Sequence, residues 1–262
     1  MAERVALVTG STDGIGRQVA RQLAAGGMRV IVHGRSKPKV DATLEALRGE
    51  LPGADLEGAS FDIGTLAGVR RGAEQLAKQG VNVLVNNAGI FASERVVTSD
   101  GIEMTFAVNH VGPFLLTELL ADKLDRVVNV ASIAHTRGRL HFDDLTFERG
   151  YTGYAAYAQS KLANVMHAMS LNDHHSAITA YSVHPGAVAT KLLRAGFGPI
   201  AGATPEQGAR TITRLAAALA VDEPTGTYYS DGVATPPSAA ARDANARAQL
   251  WDASMRLAKL HG

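Results

Sequence analysis

Val5-Ala6-Leu7-Val8-Thr9-Gly10-Ser11-Thr12-Asp13-Gly14-Ile15-Gly16 is the stretch that decides the fold. An unbroken apolar run ends on a glycine-rich turn, and the turn leads into a helical pattern that begins near residue 14. Apolar runs without polar alternation are what strands buried on both faces look like. Glycines permit a tight turn and let a ligand approach the backbone closely. The helix behind them offers unpaired N–H groups and a partial positive charge, a setting suited to a pyrophosphate. A glycine triplet alone is weak evidence, and the strand before and helix after it supply the context such a turn requires.

The same alternation continues downstream. Candidate strands are Val5–Thr9, Arg29–His33, Leu56–Phe61, Asn82–Asn86, Arg126–Ala131, Ala177–His184 and Thr227–Ser230. Helical patterns fill the intervals at about 14–25, 40–49, 65–79, 100–123, 153–172, 205–220 and 239–259. Strands alternating with helices predict a doubly wound α/β domain with a parallel sheet of about seven strands flanked by helices. Thr204-Pro205-Glu206-Gln207 reads as a capping box with proline at the first helical position. Lys191–Ala203, rich in glycine and small residues, is the expected mobile loop, and about 191–208 the expected substrate lid, with Leu192, Leu193 and Phe197 giving it an apolar side.

Composition narrows the function classes. The chain has 262 residues, enough for one full α/β domain, and 26 basic against 25 acidic residues. Clustered basic excess, the footprint of a nucleic-acid partner, is missing. With no cysteine there are no disulfides, thiolate metal sites or cysteine nucleophiles. Neither a G-x-S-x-G elbow nor an H-E-x-x-H pair occurs, and no metal site is expected. No apolar stretch reaches the ~20 residues of a membrane span, so the expected location is the cytoplasm, without a membrane partner.

At the end of the second expected strand the chain reads Val32-His33-Gly34-Arg35-Ser36. An acid there would bind a free ribose 2′-hydroxyl, whereas arginine suits a 2′-phosphate. Arg35 therefore predicts NADP(H), with NAD(H) left open as the alternative. Further on, Tyr157 and Lys161 stand four apart on one helical face, where a cation beside a phenol is expected to lower its pKa toward working pH. Such a pair is a common coincidence by itself, and its weight comes from following the glycine turn in sequence.

Taken together, these motifs resemble the short-chain dehydrogenase/reductase family, whose members have a single Rossmann-type domain. The resemblance runs over nearly the whole chain. It includes Asn86-Asn87-Ala88-Gly89, Val108-Asn109-His110-Val111-Gly112-Pro113-Phe114, Ser132, Pro185-Gly186 and Thr190, all in the family's order. It implies that Ser132 bonds the substrate oxygen, Tyr157 is the general acid/base, Lys161 holds the nicotinamide ribose and Asn109 holds a relay water. It also implies a cofactor path along Gly10, Thr12, Asp13, Gly14, Ile15, Gly16, Arg35, Asp62, Ile63, Asn87, Ala88 and Gly89. Tyr157, Lys161, Pro185, Gly186, Val188 and Thr190 complete that path. Ser132 and Tyr157 lie 25 residues apart, longer than the family's usual interval. The insert containing His141-Phe142-Asp143-Asp144-Leu145 is similar to the retinol-dehydrogenase-like branch, which implies a lipophilic carbonyl or alcohol as small-molecule substrate. Asp13 departs from the basic residue many NADP-using relatives carry there. The short linker Ala121–Asp125 bears on the homodimer or homotetramer common in the family. The rival reading is a catalytically silent nucleotide-binding regulator of the same fold.

Overall fold

The computed structural model describes residues 4–198 and 201–260. Among the described residues, eight strands form one sheet in the order β3-β2-β1-β4-β5-β6-β7-β8. They are β1 (Val5–Val8), β2 (Arg29–Gly34), β3 (Leu56–Ser60), β4 (Val83–Asn86), β5 (Arg126–Val130), β6 (Thr179–His184), β7 (Tyr228–Ser230) and β8 (Val233–Ala234). All pairings are parallel except β7 with β8. The eighth strand corrects the expected seven. It is a two-residue antiparallel return after Asp231-Gly232, too short to register as an apolar run.

The helices are α1 (Gly14–Ala25), α2 (Lys37–Glu50), α3 (Leu66–Lys78), α4 (Met104–Phe106), α5 (Gly112–Leu120), α6 (Gly153–His174), α7 (Lys191–Phe197), α8 (Pro205–Ala217), α9 (Ala239–Arg242) and α10 (Ala244–Leu257). Alternate strand residues feed opposite faces of the sheet. Val8, Val32, Val85 and Val130 pack with Val19, Leu23, Leu44, Leu47, Ile212 and Leu215 from α1, α2 and α8. Leu7, Ile31, Leu84 and Val127 pack with Leu76, Phe106, Phe114, Leu162 and Val165 on the other side. This two-sided burial explains why the strands lack polar alternation. The Thr204 capping box forms as expected, with Thr204 Oγ1 accepting from Gln207 N–H at 3.2 Å and Gln207 Oε1 accepting from Thr204 N–H at 2.9 Å.

Three expected elements differ. The single helix over 100–123 is α4, a π-helical turn over Ala107–Val111, α5 and a 3-10 turn over Ala121–Lys123. The helix over 239–259 breaks at Asp243, whose side chain caps α10. The expected loop at Lys191 starts instead with α7, capped by Thr190 Oγ1, which accepts from Leu193 N–H at 3.2 Å. Downstream, Ala203 pairs with Val188, so the end of this segment is tied back to the chain leaving β6. Residues 199–200 and the side chain of Phe197, part of the expected lid, lie outside the described residues. No helix among the described residues is long and apolar enough to cross a membrane.

Candidate active site

The order of strands reverses between β1 and β4, and in an open parallel sheet the crevice beyond the strand C-termini at that point is where ligands bind. A cavity of about 1250 Å³ opens there. Its walls bring together residues far apart in sequence, from Gly10 in the first turn to Ser132, Tyr157 and Thr190.

The glycine-rich turn is held rigidly from beneath. Gly10 takes φ +63°, and a Cβ on it would lie 2.9 Å from Ala88 Cα, so glycine is required on both counts. Thr9 Oγ1 accepts from the N–H groups of Asn87 and Ala88, both at 3.0 Å. Asn87 Nδ2 donates to Thr9 O at 2.8 Å and Gly10 O at 3.2 Å. Asn87 therefore spends its amide fastening the turn, although it also lines the cleft. The first helical N–H to find a helical carbonyl is that of Arg17, bonded to Asp13 O at 3.2 Å. The amides of Ile15 and Gly16 precede that first bond and belong to the unpaired first turn. Asp62 and Ile63 line the far wall, and Asp62 Oδ1 accepts from Gly64 N–H at 2.9 Å. Arg35 stands exposed on the rim at the end of β2.

Asp13 caps α1 and pairs with Lys191 at the start of α7. That contact, mainly through the hydrogen bond, holds the Asp13 carboxyl below its ordinary pKa. It also joins the turn to the segment over it. Val188 is buried there, and Pro185, Gly186 and Thr190 line the same side.

The polar centre is built by β5, α6 and the π-helical turn. Ser132 follows β5 and caps the 3-10 turn Ile133–Arg137, with Oγ accepting from Ala134 N–H at 3.2 Å. Tyr157 and Lys161 lie on the buried face of α6, at 5% and 3% exposure. Lys161 Nζ donates to Val130 O at 2.8 Å and stands 5.6 Å from the centre of the Tyr157 ring. Asn109 is fully buried. Its Oδ1 accepts from Ile90 N–H at 2.8 Å, and its Nδ2 donates to Ile90 O and to Ser160 Oγ, each at 3.0 Å. A π-helical turn commonly marks a functional position, and here it buries Asn109 behind Ile90, outside the residues that line the cleft. Gly89 shows how tightly these groups converge. An atom added to its Cα would lie 3.5 Å from Asn109 Oδ1, 3.6 Å from Lys161 Nζ and 3.8 Å from Leu192 Cδ1.

Electrostatics differ from the expectation of a depressed tyrosine. Burial pushes the Tyr157 phenol up to about 12, opposed by a hydrogen bond with Ser132. Burial also brings Lys161 down to about 8. The ammonium donates to the Val130 carbonyl, and burial rather than its charge sets the direction of the Tyr157 shift. Sequence reasoning missed Phe91, whose ring lies 5.8 Å from that of Tyr157, and Leu192 packs on the same small apolar cluster. It also missed His33, buried beneath the glycine turn. Phe91 had no pattern to reveal it. A lone histidine ending an apolar strand was the one available signal for His33.

The sequence matches the family model described as short chain dehydrogenase over residues 4–197. The chain belongs to that family. It is 35% identical over 281 residues to human retinol dehydrogenase 13, covering 98% of this chain and 85% of that protein. With mouse polyprenol dehydrogenase the identity is 37% over 279 residues, covering 97% and 83%. A crystal structure of an uncharacterised protein from Mycobacterium paratuberculosis superimposes with a TM-score of 0.85 at 34% identity, covering 98% and 94%. A blue fluorescent protein from a metagenomic library, solved in complex with NADPH, aligns with a TM-score of 0.66 at 28% identity, covering 87% and 95%. The family member described here is an oxidoreductase of the retinol-dehydrogenase-like branch. It uses a nicotinamide dinucleotide and acts on alcohol or carbonyl groups.

Proposed function

We propose that this enzyme exchanges a hydride between NADP(H) and a lipophilic carbonyl or alcohol, with Tyr157 as the general acid/base. The convergence of Ser132, Tyr157 and Lys161 in a dinucleotide-sized cleft, with Asn109 buried behind Ile90, carries this reading. The cleft fits the cofactor by its chemistry: unpaired helix N-terminal amides at Ile15 and Gly16, glycine at the closest approach, and Arg35 on the rim. The bound nicotinamide supplies or receives the hydride.

Everything else is work for the side chains. In carbonyl reduction, negative charge develops on the substrate oxygen, and two preplaced donors, the Ser132 hydroxyl and the Tyr157 phenol, stabilise it. Tyr157 O–H gives up its proton to that oxygen. Its raised pKa keeps it a phenol at neutral pH, so the acid form is ready. Lys161, with a pKa near 8, is still mostly protonated at pH 7 and favours the phenolate left behind. Asn109 holds Ile90 and Ser160 in place around this centre. Arg35 supports a 2′-phosphate, and the pairing of Asp13 with Lys191 removes a repulsive charge beside the phosphate turn. Phe91, Ile133, Tyr154 and Leu192 line the open end of the cleft and favour an apolar substrate. The human and mouse relatives, named for retinol and polyprenol, support the same substrate class. A spectrophotometric screen of NADPH and NADP⁺ against aldehydes, ketones and alcohols of increasing chain length tests it. Turnover should rise with apolar size, and a preference for small hydrophilic carbonyls would refute the substrate class.

A further inference from the structure

His33 is the next-to-last residue of β2, beneath the glycine-rich turn, and is 1% exposed. Its backbone and ring make a closed set of hydrogen bonds. The Ser11 N–H donates to His33 O at 2.9 Å, and the His33 N–H donates to Ser11 Oγ at 2.8 Å. Ser11 Oγ donates in turn to Val8 O at 2.7 Å. On the ring, Nδ1 lies 3.1 Å from the Gly10 amide nitrogen, and Nε2 lies 3.1 Å from Phe61 O. Both neighbours dictate the proton. Gly10 N–H is a donor only, so Nδ1 must be bare, and Phe61 O is an acceptor only, so Nε2 must carry the hydrogen. The Phe61 ring, with its centre 4.1 Å away, packs the imidazole in place.

We propose that His33 is a positioning residue for the dinucleotide, its bare Nδ1 holding the Gly10 amide so that the turn from Gly10 to Gly16 is set for the phosphates. The proposal rests on the cofactor reading of the cleft. Ala88 crowds Gly10 from one side, leaving no room for a Cβ, and His33 holds its amide. Protonation would set an N–H on Nδ1 against the Gly10 N–H and remove that support. Burial brings the ring down to about 4, outweighing the Phe61 carbonyl and the charge of Asp62, just past β3, which both favour the imidazolium. The support therefore persists through neutral pH and fails in acid.

The test compares NADP⁺ dissociation constants, by calorimetry, for the wild type, His33→Phe and His33→Asn between pH 7.5 and 4.5. Asparagine places its Oδ1 where Nδ1 was and retains the acceptor, while phenylalanine orphans the Gly10 N–H. Leaving this part-buried donor without its partner corresponds to roughly a tenfold loss. His33→Phe should bind about tenfold more weakly at pH 7.5, and His33→Asn should recover most of that loss. At pH 4.5, where about a quarter of the wild-type rings carry the second proton, the wild type should have weakened by about 1.3-fold more than His33→Asn, which does not titrate. Equal affinities for His33→Phe and wild type, or no advantage of Asn over Phe, would overturn the proposal. Failure of the wild type to bind NADP⁺ or NAD⁺ at all would instead overturn the cofactor reading beneath it.

Discussion

Replacing Asn109 with alanine should cost stability before any cofactor or substrate is present. The side chain is fully buried and bridges the π-helical turn to both backbone groups of Ile90, with a third bond to Ser160 Oγ. Alanine leaves the Ile90 N–H and C=O without those partners. Each orphaned buried group costs about 1–3 kcal/mol. Ile90 is half-buried, so water recovers part of the loss, and about 2–4 kcal/mol is the expected total. For a chain of this size that corresponds to a fall of roughly 10 °C in Tm. Urea unfolding of the cofactor-free protein, with m unchanged, measures it directly. Two roles for Asn109 differ in this outcome. A side chain that merely held a water would leave cofactor-free stability nearly intact, whereas one that fastens the β4 loop must lower it. A shift below about 2 °C would refute the fastening role, whatever happened to turnover.

Three further outcomes follow from the geometry. Arg35→Ala should reduce kcat/KM with NADPH by about 10–100-fold, the worth of a charge-assisted hydrogen bond, and leave NADH nearly unchanged; equal losses with both cofactors would contradict the phosphate role. Lys191→Ala should leave Tm unchanged, because the Asp13 pair is solvent-exposed, yet weaken NADP⁺ by about fivefold at low salt and less at high salt. Adding Asp13→Asn should restore that affinity, and a failure to do so would show that Asp13 does not repel the phosphates. Stability should fall as pH drops from 6.5 toward 4, because burial holds His33 near 4 and His110 near 3 in the folded chain. The unfolded chain then takes up protons first, and the loss between pH 7 and pH 5 should be on the order of 3 kcal/mol in urea unfolding; a flat profile would refute it.

The first strand, turn and helix were legible because each used a local rule: an apolar run, glycines at the turn, and a helical period after them. Ser132, Tyr157 and Lys161 were legible through their order in the chain. The π-helical turn at Ala107–Val111 was not, since its residues keep the apolar character of a continuous helix and only the demand on Asn109 sets the extra residue. Lys191–Phe197 reads as loop from its glycine and alanine, yet Thr190 caps it into a helix. The raised phenol of Tyr157 is a property of burial, and a four-residue spacing carries no information about where Lys161 Nζ points. His33 shows the same limit, because its partners on Gly10 and Phe61 come from two other segments.

The central claim is that Tyr157 moves the proton while other groups hold the cofactor, and Tyr157→Phe tests it most directly. The measurement pairs NADPH affinity with single-turnover reduction of a carbonyl found by the screen. Binding should stay within about threefold of the wild type, because the phenyl ring still packs against Phe91, while reduction slows by about 100-fold or more. Turnover near the wild-type rate would contradict the assignment.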